Sequence, residues 1–421
     1  MITKFKTSIT LLVVLLSFSL FAQNRQLDNY RQPDKNGVNV FEAPKDSDST
    51  FDGVKVRVGG SSTLQFQAID QENSGDTELA EIGYNFNLAT ANLDLDVALY
   101  DGVRMHLRTY LSSRHHTEPY VKGGYFQIDK LDFISEGFLE GFMKNATIKI
   151  GHMETNYGDA HFRRTDNAQA IFNPFVGNLI MDAFTTEVGA ELYYNTNKGL
   201  FAMVGFTNGK LNQSVKASDG DTGGASFVAK LGYDKQLNED LRFRLTGSVY
   251  NTGYVPNSYL YAADRGGSRY YSVLQDADAT SDNFRSGRYN PAFGNKISAI
   301  MINPFVKYKG LEFFGTFETS SGNAIGSEER TATQLAGELI YRFGKNENLF
   351  VGARYNTVNA DDTSGEDITI NRTQLGAGWF MTKNILIKAE YVNQTYDGFT
   401  AGSLYDDAKF SGLMLEAVIS F

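Results

Sequence analysis

The chain ends with Leu413-Met414-Leu415-Glu416-Ala417-Val418-Ile419-Ser420-Phe421. Counted back from the terminal phenylalanine, every second residue of this stretch is apolar or small, and the residues between them include Glu416 and Ser420. A period of two residues is typical of a β-strand with one apolar face. The same period recurs in roughly sixteen segments between residue 54 and the C-terminus, so the sequence predicts an all-β protein.

The first residues of the chain have the pattern of a secretory signal peptide. Lys4 and Lys6 precede an apolar run over 9–21, and Ala22 follows as a plausible cleavage position. The run is shorter than the roughly 18 residues that a membrane-spanning helix needs. The predicted division is 1–22 as signal peptide, 23–53 as a flexible periplasmic N-terminal segment or partial plug, and 54–421 as a transmembrane β-barrel.

The connections between the predicted strands alternate in length. Links such as 100–102 and 309–310 are short, whereas 154–186 and 251–296 are long. Bacterial outer-membrane barrels alternate short periplasmic turns with longer external loops, and their even strand number leaves both chain ends in the periplasm. The predicted fold is therefore an all-β transmembrane antiparallel β-barrel of about 16 strands, with an inward-folded third external loop.

The two faces of the predicted strands differ in charge. Leu93 and Leu95 lie on one face of a strand, and Asp94 and Asp96 lie on the other. An arginine that faces lipid at mid-depth costs about 2–4 kcal/mol, so a dozen such residues would exceed the typical stability of a whole protein, about 5–15 kcal/mol. The apolar face must therefore meet lipid, and the charged face must line the lumen.

In this register the basic residues of the predicted wall outnumber the acidic ones. The basic residues are Lys55, Arg57, Arg104, Arg108, Lys149, Lys230, Arg242, Arg244, Lys307, Arg342, Arg354, Arg372 and Lys388. The acidic residues are Asp94, Asp96, Glu191, Glu312, Glu318, Glu338, Glu390 and Glu416. Thirteen minus eight leaves +5 on the wall of a chain with a formal charge of -10. We expect a mildly anion-attracting wall. The alternative is a lattice of ion pairs in which the charges cancel, as Asp94 and Arg108 would across one hairpin.

The third external connection, 154–186, is the predicted constriction of the channel. It is rich in apolar residues, namely Ile171, Phe172, Phe175, Val176, Leu179 and Ile180. A solvated loop would not need so many, so we expect it to fold against the inner wall; the alternative is an external loop that packs on itself. The predicted eyelet residues are Asp159, Arg163, Arg164 and Asp166, facing Arg57, Arg104, Arg108 and Lys149. The remaining predicted pore-lining residues are Arg242, Arg244, Arg342, Arg354, Arg372 and Lys388.

The longest connection, 251–296, is rich in tyrosine and arginine. These residue types suit recognition surfaces, and aromatic rings can also stack on sugars. The favoured interpretation is a solvated cap that shields the mouth of the barrel.

One hairpin carries a family resemblance. Its residues read Gly378-Trp379-Phe380-Met381-Thr382-Lys383-Asn384-Ile385-Leu386-Ile387-Lys388-Ala389-Glu390-Tyr391. This segment resembles the penultimate hairpin of the phosphate-selective porin O and P family, where a tryptophan before the periplasmic turn is followed by asparagine and an alternating strand. The strand number, the inserted third loop and the terminal phenylalanine agree with that family. Members of that family are anion channels and are often trimeric, and the resemblance implies channel activity for this chain.

Composition limits the other functional classes. The chain has no cysteine, which excludes disulfides, thiolate metal sites and thiol catalysis. The formal charge of -10 becomes -12 once Lys4 and Lys6 are removed, and no basic stripe points to nucleic acid. We expect no enzymatic activity, no cofactor and no metal.

The predicted function is that of an outer-membrane porin for passive diffusion of small hydrophilic, possibly anionic, solutes through a water-filled barrel narrowed by 154–186. The alternative is a plugged structural barrel, a subunit of a larger outer-membrane assembly. The predicted partners are outer-membrane lipid, small hydrophilic solutes and two further copies in a homotrimer. The predicted location is the outer membrane of a Gram-negative bacterium.

Overall fold

The computed structural model describes residues 27–45, 49–111, 119–196, 198–210, 224–262, 270–279 and 286–421. The predicted signal peptide, 1–22, lies outside the described residues, as do the first residues of the predicted N-terminal segment.

Sixteen antiparallel strands close into one barrel, in which each strand pairs with its neighbours in sequence and β1 pairs with β16. The strands are β1 (Lys55–Glu72), β2 (Asn85–Tyr100), β3 (Val103–Leu111), β4 (Tyr120–Ile128), β5 (Ala146–Glu154), β6 (Thr186–Asn195), β7 (Leu200–Thr207), β8 (Ser226–Gln236), β9 (Leu241–Thr252), β10 (Lys296–Tyr308), β11 (Leu311–Asn323), β12 (Arg330–Phe343), β13 (Leu349–Asp361), β14 (Asp367–Thr382), β15 (Ile385–Asp397) and β16 (Lys409–Ser420). The predicted fold class and strand number are confirmed.

Helical structure in the described residues is restricted to short turns. They are one α-helical turn, α1 (Glu140–Met143), and 3-10 turns over Lys35–Gly37, Ala160–Arg163, Ala170–Phe172 and Lys345–Glu347. Among the described residues no helix is long and apolar enough to cross a lipid bilayer.

The C-terminal strand closes the barrel. β16 pairs with β1 over twelve residues, from Ser61 opposite Ser420 to Glu72 opposite Lys409. The terminal Phe421 extends the seam, because its backbone amide donates to the carbonyl of Gly60 at 3.0 Å and its carbonyl accepts from the amide of Gly60 at 3.1 Å. Both edges of the sheet are thereby satisfied, as a wall in lipid requires.

The outer and inner faces are sorted by alternate residues. On β12, Leu335, Leu339 and Tyr341 are exposed, whereas Glu338 and Arg342 are buried inside the barrel. At the end that carries the short turns, large aromatic residues point outward, namely Tyr308, Tyr341, Trp379 and Phe421. Aromatic girdles of this kind lie at membrane–water interfaces. The predicted register is therefore the observed one.

This sorting predicts a depth-dependent penalty for a charge on the outer face. We expect Leu339→Arg, in the middle of the apolar band and 52% exposed, to lower the free energy of unfolding in phospholipid vesicles by about 2–4 kcal/mol. Phe343→Arg, in the girdle, should lower the free energy of unfolding by only about 0–1 kcal/mol, because a charge there reaches the interface. Urea titration followed by the heat-modifiable gel shift measures both values, and equal losses would contradict the assigned membrane depth.

Candidate functional site

Charged side chains of the inner wall are mostly paired. Asp94 and Arg108 lie opposite each other on β2 and β3, and the guanidinium donates from Nε at 2.8 Å and from Nη2 at 2.7 Å to the two carboxylate oxygens. Asp96 accepts from Arg57 at 3.0 Å and lies 2.8 Å from Nδ1 of His106. The predicted contact between Asp94 and Arg108 is confirmed.

Five more of the predicted pore-lining residues on the strands are paired in the same way. Arg104 pairs with Asp96, Arg242 with Asp234, Arg342 with Glu312, Arg354 with Glu338 and Lys388 with Glu416. Arg372 instead donates to the backbone oxygens of Asn178 and Gly287 and to Gln394. Over most of the wall, the structure therefore matches the ion-pair lattice rather than a row of uncompensated cations.

The loop 154–186 folds inward, and its apolar residues pack inside the barrel. Phe175, Val176 and Ile180 are fully buried. The amide of Val176 donates to Glu390 on β15 at 2.7 Å, and that of Ile180 donates to Asn356 on β13 at 2.7 Å. The alternative of an external loop that packs only on itself is therefore wrong.

The four predicted eyelet residues of this loop lie inside the barrel, but they are buried. Arg163 pairs with Glu338 at 3.0 Å, Arg164 with Asp182 at 2.6 Å, Asp166 with Lys122 at 3.6 Å and Asp159 with Arg244 at 2.8 Å. Each of the four is at most 3% exposed. Arg163, Asp166 and Asp159 hold the loop to the wall, Arg164 pairs with Asp182 of the same loop, and none of the four faces open water.

Asp159 is the centre of the strongest of these contacts. Both of its carboxylate oxygens accept from the Arg244 guanidinium at 2.8 Å, and further donors are Lys230 at 3.1 Å and Thr246 at 2.8 Å. Burial by itself raises the pKa of Asp159, but Arg244 and then Lys230 outweigh it and hold that pKa well below its usual range. The group is therefore ionised at neutral pH.

Residues 27–45, which we call the inner segment, also lie inside the barrel. Glu42 accepts from Arg244 at 2.8 Å and from Lys230 at 3.3 Å. The ring of Phe41 lies 5.4 Å from that of Phe305, centroid to centroid. The Arg31 guanidinium lies 3.7 Å above the ring of Phe172 in the third loop. The inner segment and the third loop thus pack on each other within the lumen.

The tyrosine-rich connection between β9 and β10 also enters the barrel in its described residues 253–262, 270–279 and 286–295, so its interpretation as a solvated cap is wrong there. Tyr261 donates to Glu318 on β11 at 2.8 Å, and Tyr270 donates to Glu390 on β15 at 2.6 Å. Both tyrosines are buried. Their hydroxyl groups add a donor to carboxylates that also accept from Gln334 and Gln374 of the neighbouring strands, a contact that an aliphatic side chain could not make.

Within the described residues, two cavities lie beside the inner segment, against the part of the wall formed by β1–β6. One, of about 320 Å³, opens at the end with the short turns and is lined by Asn29, Lys55, Arg104 and Asp129 among others. The second, of about 170 Å³, lies deeper. Its cations are Arg31, Arg104, Arg108, Lys122 and Lys149, and its carboxylates are Glu42 and Glu154. Three of the five cations of this inner cavity, Arg104, Arg108 and Lys122, pair with Asp96, Asp94 and Asp166 behind the lining.

Lys149 differs from the other predicted wall cations. It forms no ion pair with any residue in the described part of the chain, and its ammonium lies 4.7 Å from the ring centre of Tyr193 and 5.6 Å from that of Tyr125. Aromatic faces attract a cation weakly and leave its N–H groups available. Lys149 is half-buried in the inner cavity, so it can donate to a solute there.

Comparison with known proteins gives structural neighbours only, since no family model and no curated protein matches this chain. The anion-selective porin from Comamonas acidovorans aligns with a TM-score of 0.53 at 11% identity, over 87% of this chain and 100% of its own. The trimer form of OmpT, an outer membrane protein of Vibrio cholerae, aligns with a TM-score of 0.52 at 11% identity, over 88% of this chain and 100% of its own. The high-pH structure of OprB from Pseudomonas putida aligns with a TM-score of 0.51 at 11% identity, over 88% of this chain and 94% of its own.

At these identities the comparisons show the fold alone. The chain has the closed 16-strand architecture of outer-membrane porins. The narrower resemblance to the phosphate-selective family stays a prediction.

The Asp159 cluster generates a stability prediction. Removing this carboxylate leaves two buried cations short of a partner, so we expect Asp159→Ala to lower the free energy of unfolding by about 3–5 kcal/mol. Glu328→Ala, which removes an exposed carboxylate in an external loop, is the matched control. It should change the free energy of unfolding by less than about 0.5 kcal/mol.

The pH dependence follows from the lowered pKa of Asp159. A carboxyl whose folded-state pKa lies below its unfolded value of about 3.9 contributes stability above that pH and loses it as the pH falls through the folded-state value. The difference in the free energy of unfolding between wild type and Asp159→Ala should therefore be constant from pH 5 to 8 and shrink below about pH 4. A difference that grew on acidification would contradict the assigned ion pairs.

Proposed function

We propose that this protein is a narrow outer-membrane porin through which small anionic solutes diffuse along the wall of β2–β6. The observation that carries the proposal is Lys149, which lines the inner cavity and forms no ion pair within the described residues, whereas Arg104, Arg108 and Lys122 beside it are each paired. A cation without an ion pair in a cavity with low-dielectric walls attracts anions.

The path runs from the outer side past Lys122 and Lys149 to Arg104, and then into the larger cavity at the periplasmic end. Arg104 lines both cavities. Its guanidinium donates to the backbone oxygen of Asn29 in the inner segment at 3.4 Å. Passage of a solute thus requires the Arg104 side chain and the inner segment to move apart, which limits the bore to small solutes.

The location and assembly belong to the same proposal. The apolar outer band and the aromatic girdle suit a bilayer, and the structural neighbours include an anion-selective porin and a trimer. We propose export by the segment 1–22, insertion into the outer membrane of a Gram-negative bacterium and assembly as a homotrimer.

A separate observation supports a second function, that of a closed structural barrel within a larger assembly. The inner segment, the loop 154–186 and the connection 251–296 all fold into the lumen and bury most of its charges. A barrel filled in this way would be silent in a planar bilayer.

Ion selectivity tests the first proposal. We expect Lys149→Glu to shift the reversal potential in a tenfold salt gradient from anion-selective toward cation-selective, because the exchange lowers the charge of the lining by two. Lys309→Glu, an exposed lysine in a short turn, is the control and should leave the potential unchanged. Cation selectivity of the wild type would refute the proposal.

Deletion of the inner segment separates the two functions. Without residues 27–43 the packing of Phe41 on Phe305 and Phe314 is lost, and we expect single-channel conductance to rise several-fold. Wild-type steps that are small but measurable support the porin. A wild type that never conducts, together with a conducting deletion variant, would instead establish the closed structural barrel.

A further inference from the structure

We propose that the outer face of β6–β10 holds one anionic phospholipid of the periplasmic leaflet, with an acyl chain in a groove at Gly247 and the headgroup phosphate at Lys198 and Lys235. The inference rests on the proposed membrane location and not on conduction.

The groove is a depression in the lipid-facing surface. Its volume is about 720 Å³, and its lining is almost wholly apolar. Its floor is formed where small residues replace large ones, at Ala202 on β7 and Gly247 on β9, and a side chain added at Gly247 would meet no atom within 4 Å. The larger residues at its borders are Leu200, Leu231, Tyr233, Phe243, Leu245 and Ile302.

The orientation of these strands fixes which side the groove faces. Leu231 is 69% exposed, whereas its neighbour Lys230 is buried inside the barrel against Asp159. Leu231 pairs with Gly247 across β8 and β9, so both lie on the outer face. The groove therefore opens toward the hydrocarbon region and not toward the lumen.

Basic residues lie at the periplasmic end of the groove. Lys235 follows Tyr233 on the same outward face of β8, and it is exposed. Lys198 is exposed in the turn between β6 and β7, and the next residue, Gly199, lies against Lys235, since a Cβ there would be 3.1 Å from the Lys235 Cβ. Neither lysine forms a salt bridge within the described residues.

An apolar groove that ends in two adjacent cations matches an amphiphile with an anionic head. The tyrosine girdle passes through the same place, at Tyr194 and Tyr233, and puts the lysines at headgroup level. A lysine near an anionic headgroup contributes about 1 kcal/mol of attraction. The two exposed lysines give the apolar groove a cationic end, and this charge favours an anionic lipid as the occupant.

The test is native mass spectrometry of the full-length protein after release from vesicles of phosphatidylglycerol and phosphatidylcholine in equal amounts. We expect wild type to retain one phosphatidylglycerol. Gly247→Leu should fill the groove and lower the retained fraction at least fivefold. Gly337→Leu, at an outward glycine on β12, three strands from β9, with an added Cβ only in ordinary contact with Phe313, is the matched control and should retain lipid as wild type does.

Two further outcomes define the headgroup site. The double variant Lys198→Ala with Lys235→Ala should retain both lipids equally, since the preference for the anionic head is lost. Equal retention in Gly247→Leu and wild type would overturn the proposal, and so would dissociation of an oligomer by Gly247→Leu, which would make the groove a contact between copies. Conductance of Gly247→Leu should equal that of wild type, so a failed porin proposal and a failed lipid proposal give different results.

Discussion

The structure depends on one constraint: buried charges on the inner wall of this barrel need partners, because the apolar outer face leaves these charges no other side to occupy. The wall supplies part of the pairing itself, as between Asp94 and Arg108 on neighbouring strands. Within the described residues, Arg244 pairs with one wall carboxylate, Asp234, which lies at a strand end and also binds Arg242, and Lys230 pairs with none. An unpaired buried charge is costly, so carboxylates must come from outside the wall.

The segments in the lumen provide these carboxylates. Asp159 from the third loop and Glu42 from the inner segment converge on Lys230 and Arg244. The cationic excess of +5 that the sequence indicates for the wall is therefore a measure of what the inserted segments must neutralise, and not of the field that a solute meets. The same inserted segments thus bury their own apolar residues and neutralise the charges of the wall.

The barrel was predictable because its signal is local. A period of two residues fixes which side chains face lipid, and short and long connections fix the direction of each strand. The contents of the lumen were not predictable in the same way. Glu42 and Arg244 are about two hundred positions apart, and the inner segment has no periodicity that points to a partner. The tyrosines of 251–296 were ambiguous for a chemical reason, since a phenol suits both a wet surface and a buried carboxylate such as Glu318.

The position of the remaining space follows from the same constraint. Inserted carboxylates reach the wall mainly at β8–β9, and the long strands β10–β16 face the third loop and the connection 251–296. The third loop also contacts β3–β5, where Arg108 donates to the backbone oxygen of Asn167 and Lys122 pairs with Asp166. Lys149 on β5 forms no ion pair within the described residues and lies beside the rings of Tyr193 and Tyr125. Because Lys149 lines the inner cavity, a cation without an ion pair and space for an anionic solute coincide there.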